Sequence, residues 1–161
     1  MFAKIVAVAT AAAAAVTLSA TTASAAPRKT TKAKAVKVVS FEQRLNDAVN
    51  RVPGARSATW IVADKGAWGA TDLSRGVVYI APRTPATRIL DVVRHEWVHV
   101  QQGRIYGGID AARAGLAHVG GIEIIADCGA KALGAKWTHY TKRCNAAQVS
   151  ASKRVLAGQP G

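Results

Sequence analysis

A chain of 161 residues, 50% hydrophobic and 19% charged, is long enough for one small domain with a single core. Its formal net charge of +13 comes from 22 Lys and Arg against 9 Asp and Glu, and such charge draws a protein toward anionic cell-wall polymers, acidic lipids or nucleic acid. No zinc-finger spacing, RNP-like aromatic motif or reading helix accompanies it, which argues against a specific nucleic-acid reader and leaves solvated or surface-binding charge.

Residues 1–25 have the pattern of a secretory signal peptide. Lys4 supplies a short basic start, an alanine-rich apolar run extends from Ile5 to Leu18, and Ala23-Ser24-Ala25 gives a small-residue cleavage site. The run is short and poor in Leu, Ile and Phe, which favours a cleaved leader over a membrane anchor. Without an Arg-Arg pair or a cysteine at the cleavage site, the general secretory route fits better than the twin-arginine or lipoprotein routes. The expected product is secreted, free of transmembrane segments and basic enough to associate with a cell wall.

Residues 26–39, rich in Lys, Thr, Ala and Val without helical period, read as a basic disordered linker or pro-segment. The folded domain is expected over 40–161. Ser40-x-x-Gln43 is a capping-box pattern opening a helix whose stripe is Phe41, Leu45, Ala48 and Val49, and Pro53-Gly54 ends it. Three short strands follow: Ala58–Val62, a weaker one at Ala67–Ala70, and Gly76–Ile80. Thr84-Pro85 then offers an N-cap and a first helical residue for a helix from Pro85 to Gln102, closed by Gly103. Asp110 can cap a stretch from Ala111 to Val119, Gly120-Gly121 breaks it, and Ile122–Leu133 reads as helix. A loop over Trp137–Arg143 and a last helix capped by Asn145 and running to Leu156 complete the chain. The fold class is α+β: a small sheet of about three strands packed on helices.

The helix over 85–102 carries His95-Glu96-Trp97-Val98-His99, an H-E-x-x-H pattern. Histidines at i and i+4 lie one turn apart on one helix face and can close on one metal ion, with the glutamate beside them where a bound water would lie. On a helical wheel Ile89, Val93, Trp97 and Val100 form an apolar arc, and Glu96 falls inside its extension between Val92 and Ile89. A carboxylate there is costly unless it is paired or held neutral, and a general base poised for neutral pH is such a group. Two histidines leave a tetrahedral zinc ion short of a third protein ligand. Glu123, Asp127 and His118 are the residues downstream that qualify by type.

H-E-x-x-H followed by Glu123-x-x-x-Asp127 resembles the gluzincin, or thermolysin-like, branch of the zincin metallopeptidases. The resemblance covers Thr84–Asp127 and implies a minimal zincin-like domain: a zinc-dependent peptidase acting on peptide or protein substrates. It makes His95, His99 and Glu123 the metal ligands of one Zn2+, Glu96 the catalytic base, and Asp127 the residue that holds His95. It also implies a downstream His or Tyr that stabilises the oxyanion; among His139, Tyr140 and Tyr106 the first is preferred. A further implication is that the strand before the active-site helix, Val77–Ile80, is the sheet edge that binds extended peptide. The chain is far shorter than the large members, so a reduced cleft is expected.

Cys128 and Cys144 are the only cysteines, and in a secreted chain they read as one disulfide, closing a loop of about 15 residues and worth roughly 3 kcal/mol. The bridge would tie the His139–Tyr140 loop to the helix carrying Glu123. The rival to a peptidase is a basic, non-enzymatic surface- or wall-binding protein with a structural or vestigial zinc site. A zinc amidase acting on peptidoglycan peptides shares the peptidase's chemistry and is not separable from it by sequence.

Overall fold

The computed structural model describes residues 38–161; the signal peptide expected over 1–25 and all but the last two residues of the linker expected over 26–39 lie outside the described residues. The elements run α1 (Phe41–Asn50), a 3-10 turn (Ala55–Ser57), β1 (Thr59–Val62), β2 (Gly69–Asp72), β3 (Val77–Ile80), α2 (Ile89–Tyr106), α3 (Ile109–Leu116), a second 3-10 turn (Ala117–Val119), α4 (Ile122–Ala132) and α5 (Ala146–Leu156). This is an α+β fold. No helix among the described residues is long and apolar enough to cross a membrane.

Two helices begin with reciprocal caps. Gln43 N–H donates to Ser40 Oγ at 3.2 Å and Ser40 N–H donates to Gln43 Oε1 at 3.1 Å. Asn145 and Gln148 repeat the arrangement at the start of α5. Each pair satisfies two of the N–H groups that a helix start leaves without partners.

The sheet has the order β1-β3-β2, with β1 parallel and β2 antiparallel to β3. The central strand is therefore β3, and its Val78 and Ile80 are fully buried. This corrects the expectation that Val77–Ile80 forms the sheet edge. The edge beside α2 is β2. Its sequence, Gly-Ala-Thr-Asp, carries little strand propensity; pairing with β3 and packing on α2 hold it extended.

Helix α2 starts at Ile89 rather than Pro85, and Thr84 does not cap it. The Thr84 hydroxyl donates instead to the Trp68 carbonyl at 3.1 Å, tying the approach to α2 to the start of β2. Nor does Gly103 end the helix. At Gly103, α2 crosses the backbone of Leu73 so closely that a Cβ would fall within 2.9 Å of its carbonyl carbon. The helix ends four residues later at Gly107, whose φ of 79° gives the left-handed cap and whose N–H donates to the Gly103 carbonyl. Asp110 likewise lies in the first turn of α3, with Gly108 at the cap position.

Two apolar clusters meet on α2. One joins Leu45, Ala48 and Val49 of α1 and Val78 and Ile80 of β3 to Val92, Val93, Trp97 and Val100. The other joins Val98 to Leu116, Ile125, Ala126, Ala151 and Val155 from α3, α4 and α5. The single apolar arc on the helical wheel thus understates burial. The sheet side and the helical side cover α2 from two directions, and Glu96, His99 and Gln102 lie buried between them.

Candidate metal centre

The i, i+4 spacing places His95 and His99 on the face of α2 that meets α4, where Glu123 occupies the first turn. Their ring nitrogens and its carboxylate converge. His95 Nε2 and His99 Nε2 are 3.0 Å apart, and each is 3.2 Å from Glu123 Oε2. A tetrahedral zinc ion with bonds near 2.05 Å sets its ligands about 3.3 Å apart, so the spacing matches the shell of one ion. His95, His99 and Glu123 form a group that could hold a metal ion.

The outer contacts decide which nitrogens face inward. His95 Nδ1 lies 2.8 Å from Asp127 Oδ1, and His99 Nδ1 lies 2.7 Å from Gln102 Oε1. Both partners accept, so each Nδ1 carries the hydrogen and each Nε2 turns its lone pair toward Glu123. Three acceptors in van der Waals contact repel one another unless a cation or shared protons lie among them. The donor set therefore fits a metal ion on chemical grounds as well as on spacing.

In the metal-free chain protons take that place. Burial works against charge on His95, but hydrogen bonds to Asp127 and Glu123 and the nearby carboxylates outweigh it and raise its pKa to about 10. Burial also opposes charge on Glu123, and its bonds to His95 and His99 overcome that and hold the carboxyl well below the usual range. Asp127 is lowered in the same manner, against burial, by His95 and by the amides of Thr141 and Tyr140.

Glu96, only 4% exposed, projects to the sheet side of the metal cluster. The Thr71 hydroxyl of β2 donates to its Oε2 at 2.7 Å. Gly69, on the same strand, presents bare backbone to the carboxylate, and a Cβ there would come within 2.7 Å of the Glu96 carboxyl carbon. Neither residue was among the sequence candidates: Gly69 falls inside the expected strand Ala67–Ala70 and Thr71 one residue past its end, and neither carries a motif. Gln102 was also missed. It is fully buried, with Oε1 on His99 and Nε2 donating to the Ile122 carbonyl at 2.9 Å, so it links the second histidine to the start of α4. Its position three residues after His99, on the same helix face, was the available signal.

Glu96 and His95 face a cleft of about 390 Å³. Its lining includes Gly66–Gly69 and the segment Trp137–Tyr140. Three devices hold that segment. Asp127 Oδ2 accepts from the Tyr140 and Thr141 amides at 2.6 and 2.7 Å. Asp91 accepts from the Trp137 amide at 3.1 Å and, more weakly, from that of Lys136. The Cys128–Cys144 disulfide closes the far end. Asp127 thus serves both His95 and the loop.

Tyr140 stacks on His95 with ring centroids 5.8 Å apart. The residue is half exposed, and what burial it has, with the negative charges of Glu123, Glu96 and Asp127, raises its hydroxyl pKa. His139 lines the same cleft and stands edge-on to Tyr140 at 4.8 Å, exposed to solvent. Tyr106 is elsewhere: its hydroxyl accepts from the Gly161 amide. His118 lies exposed in the second 3-10 turn, outside the metal cluster.

No protein-family model, curated protein or solved structure matches this chain.

Proposed function

We propose that this chain is a secreted zinc-dependent peptidase of minimal gluzincin type, with His95, His99 and Glu123 as metal ligands and Glu96 as general base. The observation that carries the reading is the three-donor cluster with a buried carboxylate beside it at the wall of an open cleft. Three protein ligands leave the fourth position to water or substrate, the hallmark of catalytic rather than structural zinc. A structural site has no use for Glu96. The disulfide suits an oxidising compartment, in keeping with the leader-like residues 1–25.

Zinc, when bound, supplies the Lewis acidity that makes water acidic near neutral pH and polarises a carbonyl. The chain's own groups do the rest. Thr71 occupies Oε2 of Glu96, leaving Oε1, beside Gly69, to take a proton from the attacking water. Glu96 then delivers that proton to the leaving nitrogen. Tyr140, stacked on His95, is better placed than His139 to donate to the developing oxyanion.

The substrate edge is β2. The Ala81 amide donates to the Trp68 carbonyl at 2.9 Å, which makes Trp68 and Ala81 a hydrogen-bonded pair. By alternation, Gly69 and Thr71 turn their peptide groups away from β3. An extended peptide added there would run past Glu96.

The test compares metal content and peptide hydrolysis in the wild type, Glu96→Gln and Glu123→Ala. One zinc per chain, lost in Glu123→Ala, with hydrolysis lost in Glu96→Gln while its zinc remains, is the expected result. Equal behaviour of wild type and Glu96→Gln would instead favour the non-enzymatic binding protein.

A further inference from the structure

The distribution of charge around the cleft is lopsided. Among the described residues, Asp91, Glu96, Glu123 and Asp127 are engaged inside the site or its frame. Asp64, Asp72 and Asp110 each face an arginine, Arg83, Arg75 and Arg113. The remaining acids, Glu42 and Asp47, are both on α1. Away from α1, then, each described Asp and Glu side chain has a partner, while Arg88, Lys136, Lys142 and Arg143 form no ion pair among the described residues.

One of these cations, Arg88, touches a residue that lines the cleft. Trp68 and Trp137 make a continuous aromatic wall, their centroids 5.2 Å apart. The Arg88 guanidinium lies over the Trp137 ring at 5.3 Å. Arg83 lines the cleft and touches Asp64 through Nη1 alone, in a pair about half exposed on both sides, which a competing carboxylate can exchange. Three acids line the cleft, and each already has a partner: Glu96 accepts from Thr71. Asp91 is committed to Arg94 and two amides, and Asp127 to His95 and two more.

We propose that the cleft selects acidic peptide segments, seating a large apolar or aromatic side chain on the Trp68–Trp137 wall and flanking carboxylates on Arg83 and Arg88. The inference rests on the peptidase reading for its site and adds the substrate class. An apolar wall removes a side chain from water, and guanidinium groups at its border give the carboxylates fixed donors. A pocket of this volume is at the small end for ligands and suits one side chain with its flanking backbone.

The experiment measures binding of labelled short peptides to the zinc-loaded Glu96→Gln protein by fluorescence anisotropy. One peptide has a central Phe flanked by Glu; the others replace Glu with Gln, Glu with Lys, or Phe with Ala. The Glu–Phe peptide is expected to bind about tenfold tighter than its Gln counterpart at about 50 mM salt, with most of that advantage lost at about 0.5 M. Replacing Phe with Ala should cost about tenfold more. Arg83→Gln combined with Arg88→Gln should remove the preference for Glu over Gln; near-ultraviolet circular dichroism checks the fold, and Arg83→Gln alone should halve the preference or better.

Equal affinity for the Glu and Gln peptides would overturn the proposal. So would full competition by inorganic polyphosphate together with no effect of Phe→Ala, the mark of a general polyanion surface. Hydrolysis of the same peptides by the wild type is read separately. Selective binding without cleavage upholds the recognition and sinks the peptidase reading; cleavage without charge preference does the reverse.

Discussion

Helix α2 separates two regions that contribute to the site in different ways. The helical side, α4 and the loop after it, supplies Glu123 and the groups that orient His95. The sheet side, β2 and the segment before it, supplies the partner of Glu96, the exposed peptide edge and half of the cleft wall. On the peptidase reading proposed above, the helical side would set metal affinity and the sheet side proton transfer and substrate placement. Mutations on the two sides should therefore separate into those that move metal binding and those that move turnover with metal retained.

The largest expected effect is at the centre of this division. Glu96→Gln should lower kcat by about a thousandfold, within the range of general-base contributions, with zinc content unchanged. Glu123→Ala should abolish stoichiometric zinc. Parallel loss of zinc in both variants would erase the distinction between the two sides.

Metal affinity should also depend strongly on pH, because His95 must shed its proton to bind. Its pKa in the metal-free protein is raised to about 10 from an ordinary value of about 6.5. Between these limits apparent zinc affinity should rise by up to about tenfold per pH unit, measured in chelator-buffered titrations. Folding stability of the metal-free protein should behave oppositely. A raised histidine pKa stabilises fully below about 6.5, and that contribution is lost as pH climbs through about 10. The lowered carboxylates Glu123 and Asp127 stabilise above their ordinary range near pH 4 and lose that contribution as pH falls. The apo protein should melt highest at about pH 4.5–6.5, and adding zinc should move the maximum upward. A flat profile for the apo protein would mean that the cluster is not coupled as described.

Asp127→Asn should weaken zinc binding by about 10- to 100-fold, the usual cost of removing a partner of a ligating histidine. It should also loosen the Tyr140 segment, seen as faster amide exchange at Tyr140 and Thr141. On the sheet side, Gly69→Ala and Thr71→Val should each lower kcat by about tenfold without releasing zinc, because the first displaces the Glu96 carboxylate and the second removes its hydroxyl donor.

Cys144→Ser should give the smallest change in turnover but a clear one in stability. The bridge spans 16 positions and is worth roughly 3 kcal/mol. The melting temperature should fall by several degrees and activity should fall with it, because the loop carries Tyr140. Unchanged melting and turnover would show that Asp91 and Asp127 hold the loop without help.

Much of the helical side was legible in the chain. His95 and His99, and Glu123 and Asp127, are pairs whose proximity follows from helical pitch alone, and a four-residue spacing is visible in any linear reading. The caps at Ser40 and Asn145 and the break at Gly120-Gly121 are local in the same sense. The Cys128–Cys144 pairing needed only a count of two.

What tertiary structure alone decided involves contacts between segments far apart in sequence. That β3 lies between β1 and β2 depends on strand order, for which four-residue strands carry no local signal. Gly103 looked like a helix stop because its reason for being glycine is the backbone of Leu73, thirty positions away. Thr71 and Gly69 carry no motif, and their roles exist only because β2 lies against Glu96. The placement of Tyr140 over His95 depends on the amide bonds to Asp127. Local geometry sets which side chains share a helix face; only packing sets what that face meets.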